Sequence, residues 1–546
     1  MMLTTTTSLK PIFKSYGIYL LAAVMLLAAS ISGWSPAASA APAVTADFAS
    51  LNASQVVFEM GAGWNLGNQL EASASGTPSE TAWGNPTITQ ALIQKVKAAG
   101  FKTIRIPVSY LNHIGGAPNY TINATWLNRV KTVVDYAYNE GMYVVINMHG
   151  DGYNSVAGSW LLVNGSDQAT IKAKYRKVWQ QIATTFVNYD ERLVFESMNE
   201  EFDGTYGTPN TAYYANLNAY NQIFVDTVRQ TGGNNAARWL LIPGWNTNID
   251  YTVGNYGFAL PTDNYRSSSI PGSEKRIMIS VHYYSPWDFA GEESGIITQW
   301  GAGATNPAKK STWGQEDYLE AQLKSTYDKF VTQGYPVVVG EFGSVDKTSQ
   351  DSANNAYRAT FAKAVSATAR KYGSVPIIWD NGYNGQYGFG LFNRSTNAVT
   401  QQGIIDAIMS AMNANKLKNA ASSLYVDGMG RGTNGSNAGQ WSASTSSNQI
   451  WVMEFYGSYY KIKNSATGLY LDGMGRTASG SICGQWSSSA SSNQRWVLEA
   501  YGSNYRMKNA ASGLYLESGG SSTNGADLKM ATSSTSTNLQ WQIAKP

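Results

Sequence analysis

Two carboxylic acids, each closing a strand-like run, are the residues in this chain best placed to do chemistry. The stretch Arg192-Leu193-Val194-Phe195-Glu196-Ser197-Met198-Asn199-Glu200-Glu201 is largely apolar until it delivers Asn199-Glu200. Far downstream, Pro336-Val337-Val338-Val339-Gly340 delivers Glu341-Phe342-Gly343. Breaking a glycosidic bond needs such a pair. One acid protonates the leaving oxygen, and the other carboxylate attacks the sugar or activates water. Metal and nucleotide chemistry lack their signatures. His113, His149 and His282 lie far apart with no H-E-x-x-H motif, Cys483 is the single cysteine, and no G-x-x-x-x-G-K-[ST] loop occurs. No metal and no cofactor is therefore expected, and Cys483 has no intrachain disulfide partner.

Placing two acids face to face takes a rigid frame, and the chain between about 44 and 414 supplies the pattern of one. Near-continuous apolar runs at 61–67, 103–109, 143–149, 193–200, 239–245, 277–284, 336–343 and 376–382 read as strands buried on both faces. Amphipathic stretches follow most of them, several stopping at glycine, as at Gly100 and Gly141. The interval after the fifth run is the poorest helix, being rich in Gly, Tyr and Pro. Eight such units predict an α/β fold, a (β/α)8 TIM barrel with long loops. An open doubly wound sheet is the alternative, but bulky Trp64 in the Gly-rich stretch 61–67 would obstruct a dinucleotide. Barrel chemistry sits at the C-terminal strand ends. Those ends present Arg105, His149, Asn199, Glu200, His282, Tyr284, Glu341 and Trp379. Each alone has an ordinary explanation in packing or a satisfied core polar group. Their concurrence on six strands does not. A second Asn-Glu pair, Asn139-Glu140, precedes Gly141 and reads as a helix C-terminus.

Residues 58–410 resemble glycoside hydrolase family 5. The resemblance is carried by Gly63-Trp64-Asn65-Leu66-Gly67-Asn68, Ile104-Arg105-Ile106-Pro107-Val108, Asn147-Met148-His149, Met198-Asn199-Glu200, Val281-His282-Tyr283-Tyr284, Gly340-Glu341-Phe342-Gly343 and Ile378-Trp379-Asp380-Asn381-Gly382. With Ala82-Trp83-Gly84-Asn85-Pro86, the first stretch is most similar to the bacterial endoglucanase and xyloglucanase branch. The resemblance implies Glu200 as general acid/base, kept protonated near neutral pH by its surroundings, and Glu341 as nucleophile. It implies Asn199 on the sugar 2-OH, and Arg105 and Tyr284 holding Glu341 ionised. His149 and His282 would bind sugar or orient the acids, and Trp379 would be the stacking floor. Trp83, Trp160, Trp245 and Trp287 are further platform candidates. The branch often carries a second His after the strand-three His. Here Gly150 stands in that place, and the loop to Asn164 is expected to shape a subsite.

From about residue 418 to 546 the chain repeats with a period of 45 residues. Lys418-Asn419, Lys463-Asn464 and Lys508-Asn509 open the copies, and Trp451, Trp496 and Trp541 close them in register. The first two copies share 28 of 45 residues. The region resembles the ricin-type β-trefoil, an all-β carbohydrate-binding fold. The resemblance implies sugar sites at Asp427 and Asp472. In the third copy Glu517 replaces the Asp, Met530-Ala531 replaces Gln-Trp, and Leu539 replaces the closing Gln. A spacer trefoil without binding is the alternative.

Lys10 and Lys14, the apolar run 18–31 and Ala38-Ser39-Ala40 predict a secretory signal peptide over 1–40, and hence a secreted protein outside any membrane. Its removal leaves 37 basic against 36 acidic residues, with no basic field for nucleic acid. The expected partners are a β-glucan substrate and a sugar polymer on the trefoil, with the protein a monomer. A non-catalytic polysaccharide binder is the competing class. Within enzymes, β-1,4-glucan comes first, xyloglucan second, mannan or xylan third.

Overall fold

The computed structural model describes residues 51–456 and 459–545; the expected signal peptide and the first residues of the expected barrel domain lie outside them. Eight parallel strands close a barrel in sequence order: β1 (Gly63–Asn65), β2 (Thr103–Ile106), β3 (Tyr143–Ile146), β4 (Leu193–Glu196), β5 (Leu240–Pro243), β6 (Ile277–Tyr283), β7 (Val337–Phe342) and β8 (Ser374–Ile378). Most are shorter than the apolar runs suggested. On β3 and β4 the residues that close those runs, His149 and Asn199-Glu200 among them, lie beyond the ladder, whereas His282 and Glu341 stay paired in it. The last strand starts earlier, at Ser374, and ends at Ile378, where Trp379-Asp380-Asn381-Gly382 forms a turn in which Gly382 N donates to Asp380 Oδ1. Helices α1 (Ala53–Met60), α2 (Gln90–Ala98), α3 (Ala124–Tyr138), α4 (Gln168–Thr185), α5 (Thr211–Gln230), α6 (Ile249–Val253), α7 (Glu316–Lys329), α8 (Asn354–Lys371) and α9 (Gln402–Asn413) account for the long helical elements and the short one after β5. After β5 the helix is reduced to the five residues of α6. Asn139 caps the end of α3.

The barrel interior is layered. Its floor is apolar, built of Val145, Val194, Leu241, Met278, Val338, Val375 and Ile377, and α1 plugs it from below with Val56 and Met60. Successive inward positions on a strand are two residues apart. The layer above this floor is therefore Asn65, Arg105, Glu196 and Ser280, all fully buried. Burying charge at this depth requires pairing, and each member has a partner described below. A register shift beside Gly340 interrupts this alternation on β7: Val339 pairs with Val281, but Glu341 pairs with His282. The bulge turns Glu341 inward. Gly340 suits the spot, since a Cβ there would sit 3.2 Å from His282 Nε2.

Helix α9 runs directly into the strand Ala414–Asn419, the first of an all-β unit of thirteen strands. The three Trp side chains that close the repeats are fully buried and donate alike, Trp451 to Val426 O at 2.9 Å, Trp496 to Leu471 O and Trp541 to Leu516 O at 3.0 Å. Gln449 and Gln494 each tie a turn, accepting from Ser444 N and Ser489 N at 2.9 Å. Leu539 cannot, and neighbouring Gln540 donates to Thr535 O instead. The trefoil packs on the floor end of the barrel, opposite Glu200 and Glu341. Gln55 of α1 donates to Gly502 O at 2.8 Å, Phe58 meets Tyr505, and Lys102 Nζ lies over both Phe58 and Tyr460. Among the described residues no helix is long and apolar enough to cross a membrane.

Candidate active site

Arg105 organises the cleft. Its Nε donates to Glu196 Oε2 at 2.7 Å, Nη1 to Asn65 Oδ1 at 3.0 Å and Glu341 Oε1 at 2.7 Å, and Nη2 to Asn199 Oδ1 at 2.7 Å. Burial disfavours this charge, but Glu196 and Glu341 outweigh it, and the guanidinium pKa is raised. Tyr284 donates to Glu341 Oε2 at 3.0 Å. Glu200, from the β4 end, meets His282 Nδ1 at 2.6 Å through Oε1 and accepts from the Tyr153 hydroxyl at 2.8 Å through Oε2. His282 Nδ1 is also 3.6 Å from Glu341 Oε2. One ligand atom from each of Glu200, His282 and Glu341 lies within 4.8 Å of the other two. The trio could ligate a cation, yet Glu341 already accepts from permanently charged Arg105, which repels one.

The two carboxylates titrate as a linked pair. For Glu341, burial raises the pKa and Glu200 raises it further, while His282 and Arg105 oppose. For Glu200, burial also raises it, but His282 and Tyr153 outweigh burial and the pKa is lowered. The surroundings of Glu200 therefore do not by themselves keep it protonated, contrary to what the resemblance implied, because its hydrogen bonds to His282 and Tyr153 favour the charged carboxylate. Burial also outweighs Arg105 at Glu341. Each carboxylate's charge penalises the other. A proton on Glu200 thus removes the repulsion from Glu341 and favours its ionised form against Arg105. His149 is held well below the usual histidine range by burial and by Arg105, so its ring is neutral. It stacks nearly parallel to Trp379, with centroids 6.2 Å apart. Gly67 makes room for that indole, since a Cβ would meet Trp379 at 2.6 Å.

Arg105, His149, Asn199, Glu200, His282, Tyr284, Glu341 and Trp379 thus converge on one cleft at the C-terminal strand ends. Among the platform candidates, Trp83 and Trp287 are exposed. Trp160 is engaged by its indole N–H on Asp151 Oδ1 at 2.7 Å. Trp245 is 1% exposed and packs on Tyr214, so it is core and no platform. Three groups were missed. Glu196 accepts from Arg105 and from Ser280 Oγ at 2.7 Å; the only signal was an acid inside an apolar strand. Asn65 lay in a quoted motif without a role. Tyr153, in the Gly-rich loop, carried no signal that spacing could reveal. In the trefoil, Asp427 and Asp472 are largely buried, and one carboxylate oxygen of each accepts the backbone N–H of Met429 and Met474, at 2.6 and 2.7 Å. Trp441 and Trp486 stand exposed on the strands paired with theirs.

A parallel eight-stranded barrel with two opposed carboxylates at its C-terminal mouth, beside a β-trefoil, defines a glycoside hydrolase with a lectin-type module. Comparison with known proteins narrows this. The chain belongs to the cellulase family, glycosyl hydrolase family 5, whose sequence pattern matches residues 67–385. The ricin-type β-trefoil lectin domain-like pattern matches 409–486, 447–531 and 492–545. Endoglucanase A of Paenibacillus barcinonensis is 72% identical over 400 residues, covering 73% of this chain and 99% of that protein. A family 5 xyloglucanase from Paenibacillus pabuli, solved with ligand, is 79% identical with a TM-score of 0.65, over 66% of this chain and all of that one. A broad specificity endoglucanase from Bacteroides salanitronis is 39% identical with a TM-score of 0.61, over 66% and 95%.

Proposed function

We propose that this protein is a secreted, monomeric endo-β-1,4-glucanase that retains anomeric configuration and carries a carbohydrate-binding trefoil. The observation that carries the mechanism is the separation of Glu200 and Glu341, whose facing ligand atoms lie within 4.8 Å. Retaining enzymes hold the two carboxyls about 5–5.5 Å apart, whereas inverting enzymes leave room for a water between them. Glu200 gives its proton to the leaving oxygen while Glu341 attacks the anomeric carbon. Glu200 then takes a proton from the water that releases the sugar. Asn199, held by Arg105, offers its amide to the sugar 2-OH, a contact that tightens in the transition state. Trp379 and neutral His149 form the wall the sugar ring lies on. Asp427 and Asp472, beside exposed Trp441 and Trp486, take sugar in the trefoil.

A second substrate reading, preference for xyloglucan, is favoured by the 79% identity of the barrel to the Paenibacillus pabuli xyloglucanase. Initial rates on carboxymethylcellulose, mixed-linkage glucan, xyloglucan, mannan and xylan decide between them. Proton NMR of the first product formed tests the mechanism, and an inverted anomer ends it. N-terminal analysis of exported protein tests secretion; a start near Ala41 is expected.

A further inference from the structure

Tyr153 belongs to the loop that follows β3. Its hydroxyl lies 2.7 Å from Asn199 Nδ2 and 2.8 Å from Glu200 Oε2. The direction of these bonds is fixed by chemistry. A guanidinium has donors only, so Arg105 Nη2, at 2.7 Å, must address the Asn199 oxygen. The Asn199 amide NH2 therefore faces Tyr153. The hydroxyl accepts from it and aims its single hydrogen at Glu200. A one-way chain results, Arg105 to Asn199 to Tyr153 to Glu200, and Arg105 also donates directly to Glu341. One guanidinium thereby addresses both carboxylates, one of them through Tyr153.

The loop is built to hold this tyrosine down. Buried Asp151 accepts from Tyr110 N at 2.8 Å, Leu111 N at 2.7 Å and the Trp160 indole at 2.7 Å. Gly152, between Asp151 and Tyr153, lies against the buried carboxyl of Glu201; a Cβ there would fall 1.7 Å from its oxygens. Any larger residue would lift the loop. Asn154 and Ser155, next along, are exposed.

We propose that Tyr153 is a positioning residue for both proton transfers, an inference that rests on Glu200 being the acid/base. In the first step the Glu200 proton moves to the leaving oxygen as the glycosidic bond breaks and the bond to Glu341 forms. The Tyr153 hydroxyl stabilises the carboxylate this leaves and keeps Oε1 turned to His282. In the second step the same carboxylate, still oriented, accepts the proton of water.

The test is Tyr153→Phe, with Ser155→Ala as a control for loop disturbance. A hydrogen bond to a charged group supports a loss of about tenfold or more in turnover of polysaccharide. The loss should shrink on aryl glycosides whose leaving group needs no proton. The basic limb of kcat/KM should move to higher pH, because the Glu200 carboxylate has lost a stabilising donor. Fluorotyrosine at 153, a stronger donor of the same shape, should move it to lower pH, which also serves if the Phe variant folds poorly. Equal losses on both substrates with unmoved limbs, or no loss at all, overturn the proposal. Glu200→Ala assayed in parallel separates the two readings. If it lacks the leaving-group dependence, the acid/base assignment fails; if it has it and Tyr153→Phe does not, only the role of Tyr153 falls.

Discussion

Replacing Arg105 by Met tests whether one side chain underlies both the fold of the barrel centre and its chemistry. Met keeps an unbranched apolar stem but lacks the guanidinium, and removes four hydrogen bonds, to Glu196, Asn65, Glu341 and Asn199. Arg105 and Glu196 are completely buried, and the Glu341 side chain is 7% exposed. Taking the cation away strands two carboxylates without their counter-charge. Breaking one buried pair costs about 3–5 kcal/mol, so the variant should lose at least that in urea unfolding at neutral pH. Arg105 lowers the pKa of Glu341 against burial; without it that pKa rises further. The acidic limb of the pH–rate profile, set by ionisation of the nucleophile, should then shift to higher pH while the maximum rate collapses. Arg105→Lys keeps a charge but loses the planar fork. It should restore part of the stability and little of the rate, because a single ammonium cannot hold Glu196, Glu341 and Asn199 at once. The reasoning is refuted if Arg105→Met folds within about 1 kcal/mol of wild type and keeps an unmoved acidic limb.

Glu341→Gln should nearly abolish turnover of every substrate, and full activity in it would send the search to another acid pair. Glu200→Ala should spare substrates with activated leaving groups, and added azide should give a β-glycosyl azide detectable by mass and NMR. Asn199→Ala should lower kcat more than it raises KM, since its sugar contact strengthens in the transition state; a pure KM effect counts against that role. In the trefoil, Asp427→Ala with Asp472→Ala should weaken pull-down on insoluble polysaccharide while leaving hydrolysis of soluble substrate unchanged. Unaltered binding would remove both from the sugar site. Buried Glu71, which accepts from Asn68 N and Gln69 N, is pushed up to about 7, burial outweighing those bonds. Its folded pKa exceeds the unfolded one, so its favourable share of stability is full below about pH 4.5 and fades as pH passes about 7. Melting temperature should fall across that range more steeply in wild type than in Glu71→Gln.

The barrel and its mouth were legible in the sequence for a physical reason. A parallel strand buried on both faces must be apolar throughout, so the point where each run turns polar marks the end that faces the cleft. Arg105, His149, Asn199, Glu200, His282, Tyr284, Glu341 and Trp379 all sit within a few residues of such points. The trefoil was legible because three copies at one period leave an unmistakable mark. What the sequence could not express is which side of a strand faces inward. Glu196 looks like an error in an apolar run until closure of the barrel turns it toward Arg105. Glu341 faces the cleft only because a bulge at Gly340 breaks the alternation, and a bulge is set by the pairing of β7 with β6 and β8. Trp245 looked like a platform and is core, since burial depends on what α5 brings across it. Tyr153 reaches Glu200 only because a loop pinned by Asp151, with Gly152 leaving room for the Glu201 carboxyl, folds back over the β4 end. Composition and period are local properties of the chain, whereas inward parity, bulge placement and loop return depend on neighbours distant in sequence, such as Arg105 for Glu196 and Glu200 for Tyr153.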